Sequence, residues 1–420
     1  MTRAEWVPPV AGAVALWALI WFVCTPARLA ALVEAADENG DRGTWSLVWW
    51  LIGWSHREPD GAARWTAGEW IGTGLVTTQV LLTVALFAAG SALVLRLLPP
   101  VGRRWPLTWL ACWWAAVAAS VVGTGLVAPL VGLRGRDNGL ESWDQTEEIG
   151  VFRERSVWMA VYELTGQGAP LFIGLGLVAG GVVTGAAVVR SRRLALLDGN
   201  AGQAIPGRSD SSGDGRALLR AAGAATALLA LLVAALGGSW RHDGFADRRP
   251  GAGEVLVERW LVPADWHVSY AGQELWVLLL LAVPAVLQVL LFGAAFWAVL
   301  RPLRRRSLPA LLLTGAWTGL AAGAVGRALF VGADQLLFAS GPGDTWWAGP
   351  LSLAADRAGG AMICGALAGA AAWLLLWRIA PDCLRPAEER GPEGHGGEAP
   401  PGAERGDDGP DDELVITVGR

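Results

Sequence analysis

Eight apolar blocks, each about as long as a bilayer is thick, constrain this chain more than any other feature. They run over Val10–Pro26, Ile71–Leu97, Leu107–Leu130, Ala169–Val189, Ala217–Leu236, Leu275–Leu300, Leu308–Val331 and Gly359–Ile379. Lipid offers no hydrogen-bond partners to a backbone, so a segment that crosses it must be a helix or part of a closed barrel. No alternation with a period of two is present, which excludes the barrel. Of the 420 residues 53% are hydrophobic and only 17% charged, too few charges to clothe a water-soluble body of this size. The expected fold is therefore an all-α integral membrane protein of about eight transmembrane helices. The first block lacks the basic n-region and small-residue cleavage site of a signal peptide, and is read as a retained helix.

The blocks fall into two sets of four that echo one another. Ala118 to Leu126 lines up with Ala321 to Leu329, placing Gly123 on Gly326, and at the same offset Trp114 falls on Trp317. Ala67-Gly68-Glu69-Trp70 resembles Ala271 to Trp276, and Arg103-Arg104-Trp105-Pro106 resembles Arg305 to Pro309. Glu163 to Gly166 falls on Asp356 to Gly359. Self-similarity at a fixed offset marks a duplicated unit. The division expected is a first four-helix unit over 1–190, a flexible linker over 191–215, a second unit over 216–383 and a disordered acidic tail over 384–420. Pro386–Arg420 carries ten acidic residues against three arginines and cannot bury a core.

Arginine placement gives the orientation. The second and sixth loops carry Arg96, Arg103, Arg104 and Arg301, Arg304, Arg305, Arg306 without an acid between the flanking helices. The fourth carries Arg190, Arg192, Arg193, Arg208 and Arg216, whereas in the first, third and fifth loops acids outnumber arginines. By the positive-inside rule the even loops and both termini face the cytoplasm of a cell whose inner or plasma membrane holds the chain. Four helices per unit then make the repeat parallel rather than inverted. The odd loops are rich in tryptophan, among them Trp45, Trp49, Trp50 and Trp54 in the first and Trp260 and Trp266 in the fifth. Indole rings favour the headgroup zone.

Candidate functional residues are the ionisable and amide groups in or beside the helices, because an unpartnered charge there is costly. Glu163 and Asp356 begin the fourth and eighth helices at equivalent places. Arg327 and Asp334 lie a little under two turns apart on the seventh, so they share a face. With Arg357 these form the candidate charge cluster, in which Arg327 is expected to contact Asp356 or Asp334. Gln79 and Gln288, in the second and sixth helices, are candidates for bonds across a helix interface. Glycines four apart, Gly176–Gly180, Gly181–Gly185, Gly319–Gly323 and Gly365–Gly369, favour close helix approach in both halves.

Enzyme chemistry finds little support. Glu147-Glu148 followed by Arg153 resembles the paired glutamates and arginine of CAAX-type intramembrane proteases, but the arginine stands one residue too far along and no histidine lies in any span, which excludes that reading. No Walker, Gly-x-Ser-x-Gly or zinc-protease signature is present. Asp37-Glu38 after the first helix, where lipid-linked glycosyltransferases keep an acid, is one acidic pair in an acidic loop. His56, His242 and His267 are scattered without metal spacing. Cys24, Cys112 and Cys364 read as small buried hydrophobes. No cofactor, metal or nucleic-acid partner is expected. The partners implied are the bilayer and a small solute or another membrane protein. Passage of a small solute, between the two halves as in other duplicated transporters, is the leading expectation; a non-catalytic scaffold or partner subunit and an outer-facing enzyme on lipid-linked substrates are the alternatives.

Overall fold

The computed structural model describes residues 3–24, 28, 31, 34–35, 68–98, 105–137, 169–197, 212–236, 261, 263, 275–303, 306–338 and 358–384. Among them the chain is all-helical. Eight apolar helices follow in order: α1 (Val7–Val23), α2 (Gly68–Leu97), α3 (Trp105–Asp137), α4 (Ala169–Leu197), α5 (Ser212–Leu236), α6 (Leu275–Leu300), α7 (Leu308–Phe338) and α8 (Ala358–Ile379). Short 3-10 turns, Arg3–Trp6 and Pro381–Leu384, flank the set. Seven helices, α2 to α8, are long and apolar enough to cross a membrane. The first, at 17 residues, is about 25 Å long against a hydrocarbon core of about 30 Å.

The apolar blocks set the helices, while local chemistry sets their ends. Pro8 and Pro9 sit in the first turn of α1, where a missing N–H costs nothing, so that helix starts ahead of its apolar block. Pro129 in α3 and Pro284 in α6 are carried inside helices, as membrane helices tolerate. Around the expected linker the helices run further than composition suggested. α4 continues to Leu197 and α5 begins at Ser212.

Packing follows two closed rings. α1 packs on α2, α2 on α3, α3 on α4 and α4 back on α1; α5 packs on α6, α6 on α7, α7 on α8 and α8 back on α5. The rings meet where α3 touches α7 and α8. That seam is apolar: Trp114, Val117 and Val121 of α3 share one buried cluster with Leu320 and Ala324 of α7 and Ala358 of α8, and Trp317 and Met362 pack on it.

Burial repeats along with packing. One shift in numbering carries Gln79 onto Gln288, both buried, and Phe87 onto Phe296, both fully buried. The same shift carries the buried stripe of α1 (Pro8, Gly12, Leu16, Ile20, Cys24) onto that of α5 (Ala217, Ala221, Ala225, Leu229, Val233).

Glycine brings the backbones of α7 and α8 together. A Cβ on Gly315 would run into the Gly365 carbonyl, one on Gly365 into the Gly315 carbonyl, and one on Gly369 into that of Leu311. In the first ring Gly176 and Gly180 of α4 lie against Trp113 of α3. With so little side-chain bulk between them, dispersion and close backbone contact replace the hydrophobic effect, which lipid does not supply between helices.

Candidate functional site

Of the expected charge cluster, the described residues contain Arg327, half-buried on α7. Asp334 falls on the same helix with its side chain outside the described residues, and Glu163, Asp356 and Arg357 lie outside them altogether. Arg327 follows Gly326, whose Cα lies against the backbone of Gln288: a Cβ there would stand 3.2 Å from the Gln288 amide nitrogen.

The two amides behave differently. Gln79, 1% exposed, donates from Nε2 to Thr124 Oγ1 at 3.3 Å, joining α2 to α3 as expected of an intramembrane amide. Gln288 is buried to the same degree, yet its Nε2 makes no hydrogen bond among the described residues and faces Gly323.

Around Gln79 the structure assembles polar side chains that the sequence reading passed over. On α2, Gln79, Thr83 and Ser91 recur at four-residue steps with Phe87 between them, and all four are buried. On α3, Thr108, Cys112, Ser120 and Thr124 recur at the same step with Ala116 between them, again all buried. Steps of four turn about 40° each, so each series forms an inclined ridge along its helix, and the ridges of the antiparallel pair meet at Gln79 and Thr124. Thr83 points at α3: a Cβ on Gly123 would stand 2.5 Å from its hydroxyl oxygen. Ser91 of α2 and Thr184 of α4 are buried near Cys112, and their hydroxyls make no hydrogen bond among the described residues. Thr108 donates to the Leu98 carbonyl at 2.9 Å, satisfying the end of α2. From Thr108 to Thr124 the series climbs about 24 Å of α3, most of the thickness of a hydrocarbon core.

The Thr83 and Ser120 hydroxyls are buried and make no hydrogen bond among the described residues. Leaving a hydroxyl unmatched in an apolar surrounding costs about 1–3 kcal/mol. Phe87 stands between Thr83 and Ser91 on α2 and is fully buried. Its ring reaches α1, where a Cβ on Gly12 would lie 3.4 Å from Cε1. The sequence did carry a signal: Gln79-Val80-Leu81-Leu82 recurs identically as Gln288-Val289-Leu290-Leu291, and Thr108, Cys112, Ser120 and Thr124 fall at four-residue steps of α3 interrupted by Ala116.

α5 to α8 lack the counterpart. The shift that pairs Gln79 with Gln288 puts Phe292 at the place of Thr83 and Leu300 at the place of Ser91. Phe292 and Phe296 stack with centroids 5.3 Å apart. On α7, the offset that pairs Gly123 with Gly326 puts Gly315 and Gly323 where α3 has Cys112 and Ser120.

Two further groups stand apart from the line. Arg306, expected in a solvated loop, is 3% exposed, and its guanidinium donates to the Arg301 carbonyl (3.4 Å) and the Cys383 carbonyl (3.5 Å). It thereby ties the α6–α7 turn to the 3-10 turn that follows α8. Cys364, buried on α8, donates its thiol to the Leu261 carbonyl at 3.3 Å, so the α5–α6 connection reaches the flank of α8. No group of three or more metal-ligating side chains occurs among the described residues.

No protein family matches the chain, and no curated protein or solved structure matches it. The fold and the site therefore carry the functional argument alone. They define a multi-pass helical membrane protein with a buried line of neutral hydrogen-bonding groups along α2 and α3.

Proposed function

We propose that this chain is built from two parallel copies of one four-helix unit, α1–α4 and α5–α8, and that it passes a small solute across the membrane in a channel-like or transporter-like way. Duplication is supported by the two closed rings, by the shared burial stripe of α1 and α5, and by the repeated Gln-Val-Leu-Leu. The eighth span is α1, short enough to need slight local thinning of the bilayer. The observation that carries passage is the polar line from Thr108 to Thr124 facing Gln79, Thr83 and Ser91. A buried hydroxyl without a partner is costly in an apolar surrounding, and a passing solute would supply the missing bond.

Reconstitution tests the reading. Purified protein in proteoliposomes should admit a small uncharged solute such as glycerol faster than empty vesicles of the same lipid. Equal rates for water, glycerol and urea would overturn it. The second reading, a non-catalytic scaffold or partner subunit, draws on the apolar seam around Trp114 and Leu320 and the glycine contact of α7 with α8. It predicts no flux and a stoichiometric partner cross-linked in native membranes. The orientation proposed, with both termini in the cytoplasm of the cell membrane, rests on arginine placement. Alkaline phosphatase fused after Arg104 should then be inactive, and after Gly150 active.

A further inference from the structure

We infer that the passage lies inside the α1–α4 ring along the α2–α3 face, and not at the seam between the rings. It accepts uncharged hydrogen-bonding molecules of water to glycerol size, and Phe87 is its gate. This rests on the reading of the protein as a passage for a small solute.

Three observations converge. Thr83 and Ser120 are fully buried on facing helices, and their hydroxyls make no hydrogen bond within the described residues, so the face offers unspent donors and acceptors in its middle. Nothing in the four-helix architecture demands these hydroxyls, since the α5–α8 ring builds the same packing with Phe292 and Leu300 in place of Thr83 and Ser91. The described seam, by contrast, packs Trp114, Val117 and Val121 of α3 against Leu320 and Ala324 of α7.

Chemistry sets the class of solute. The side chains along the line are hydroxyl, amide and thiol, each neutral, and each able to accept a bond or to donate one. Such a file exchanges bonds with a hydroxylic molecule stepwise but gives an ion no countercharge, and a bare ion in that surrounding is penalised steeply. The apolar step of the α2 series is Phe87, between Gln79 and Thr83 on one side and Ser91 on the other, and its ring reaches Gly12 of α1 inside the ring of helices. A phenyl ring on a single rotatable stem, placed between two polar sets, is where passage opens or closes.

The test uses the intact protein in proteoliposomes, with osmotic water and glycerol permeability read by stopped-flow light scattering. Thr83→Phe and Ser91→Leu install the side chains that the other ring carries. Each should lower the protein-dependent rate at least tenfold, whereas Phe87→Ala should raise it and Phe292→Ala, in the other ring, should leave it unchanged. Thr83→Val keeps the shape of threonine and removes the hydroxyl, so it decides the matter should the larger replacements fail to fold: a lowered rate supports the inference. Wild-type flux that survives Thr83→Val and Ser91→Leu would overturn the location while leaving passage itself standing. Wild-type protein that adds nothing to the rate of empty vesicles for either probe would overturn both.

Discussion

Gln79 donates its side-chain amide to the Thr124 hydroxyl at 3.3 Å, and this bond joins α2 to α3 near one end of a polar line that the rest of the two helices continue. Gln79 and Thr124 are 1% and 2% exposed, so water does not compete with the bond. At the corresponding place in the other ring the partners are Gln288 and Arg327, a neutral pair exchanged for an amide and a cation.

The strength of that bond is measurable by a double-mutant cycle with Gln79→Leu and Thr124→Val, using unfolding in mixed micelles. Intramembrane side-chain bonds average about 0.6 kcal/mol and reach about 1.7 kcal/mol. Full burial should place this pair in the upper half of that range. A coupling indistinguishable from zero would show that the two side chains are merely adjacent.

Glycine substitutions should separate sharply by place. Gly365→Ala sets a methyl group against the Gly315 carbonyl, where backbone and not a flexible side chain must give way. Overpacking of this kind costs about 1–3 kcal/mol or more, seen as a lower melting temperature or loss of expression. Gly223→Ala on α5 and Gly185→Ala on α4 meet nothing within 4 Å, and should be neutral or slightly stabilising. Equal effects at Gly365 and Gly223 would contradict the packing of α7 on α8.

Helix positions were legible in the sequence because hydropathy reports them directly; seven of the eight apolar blocks became helices long enough to span a bilayer. What the sequence hid depends on contacts between distant segments. Arg306 reads as one more cation in a basic loop, yet it is buried because the turn after α8, 77 residues on, folds over it. The polar line was masked differently. Thr83 sits among leucines and valines, Ser91 and Ser120 beside alanines, and only the meeting of α2 with α3 brings them together. The expectation of a polar path between the halves followed a general habit of duplicated transporters, while the described seam is filled by Trp114, Trp317 and Leu320. The charge cluster read around Arg327 has its carboxylates outside the described residues, so its geometry stays an expectation drawn from the sequence.

Arg306→Met should loosen the far end of the second ring without unfolding the bundle. The guanidinium donates to two backbone carbonyls, and bonds from a charged donor contribute about 1.5–3 kcal/mol. Arg306→Lys should rescue only in part, because a point charge cannot reach two carbonyls as a planar fork does. Limited proteolysis should cut after α8 sooner in the methionine variant than in wild type. An unchanged cleavage rate would show that the turn at Pro381–Leu384 holds itself in place.

Thiol accessibility offers an independent reading of the same tie. All four cysteines, Cys24, Cys112, Cys364 and Cys383, are buried, and a buried thiol does not admit a reagent. A maleimide added to wild-type membranes should therefore label almost nothing until detergent denatures the protein, when all four should react. Cys383 differs from the others in its cover, since it lies in the short turn whose carbonyl accepts from Arg306. Removing that arginine should release the turn and leave Cys112 and Cys364 inside their helices untouched. In Arg306→Met membranes, labelling should rise to about one equivalent and vanish again when Cys383→Ser is added. Labelling of Cys383 in wild type at the denatured rate would place that turn in water and break the proposed tie.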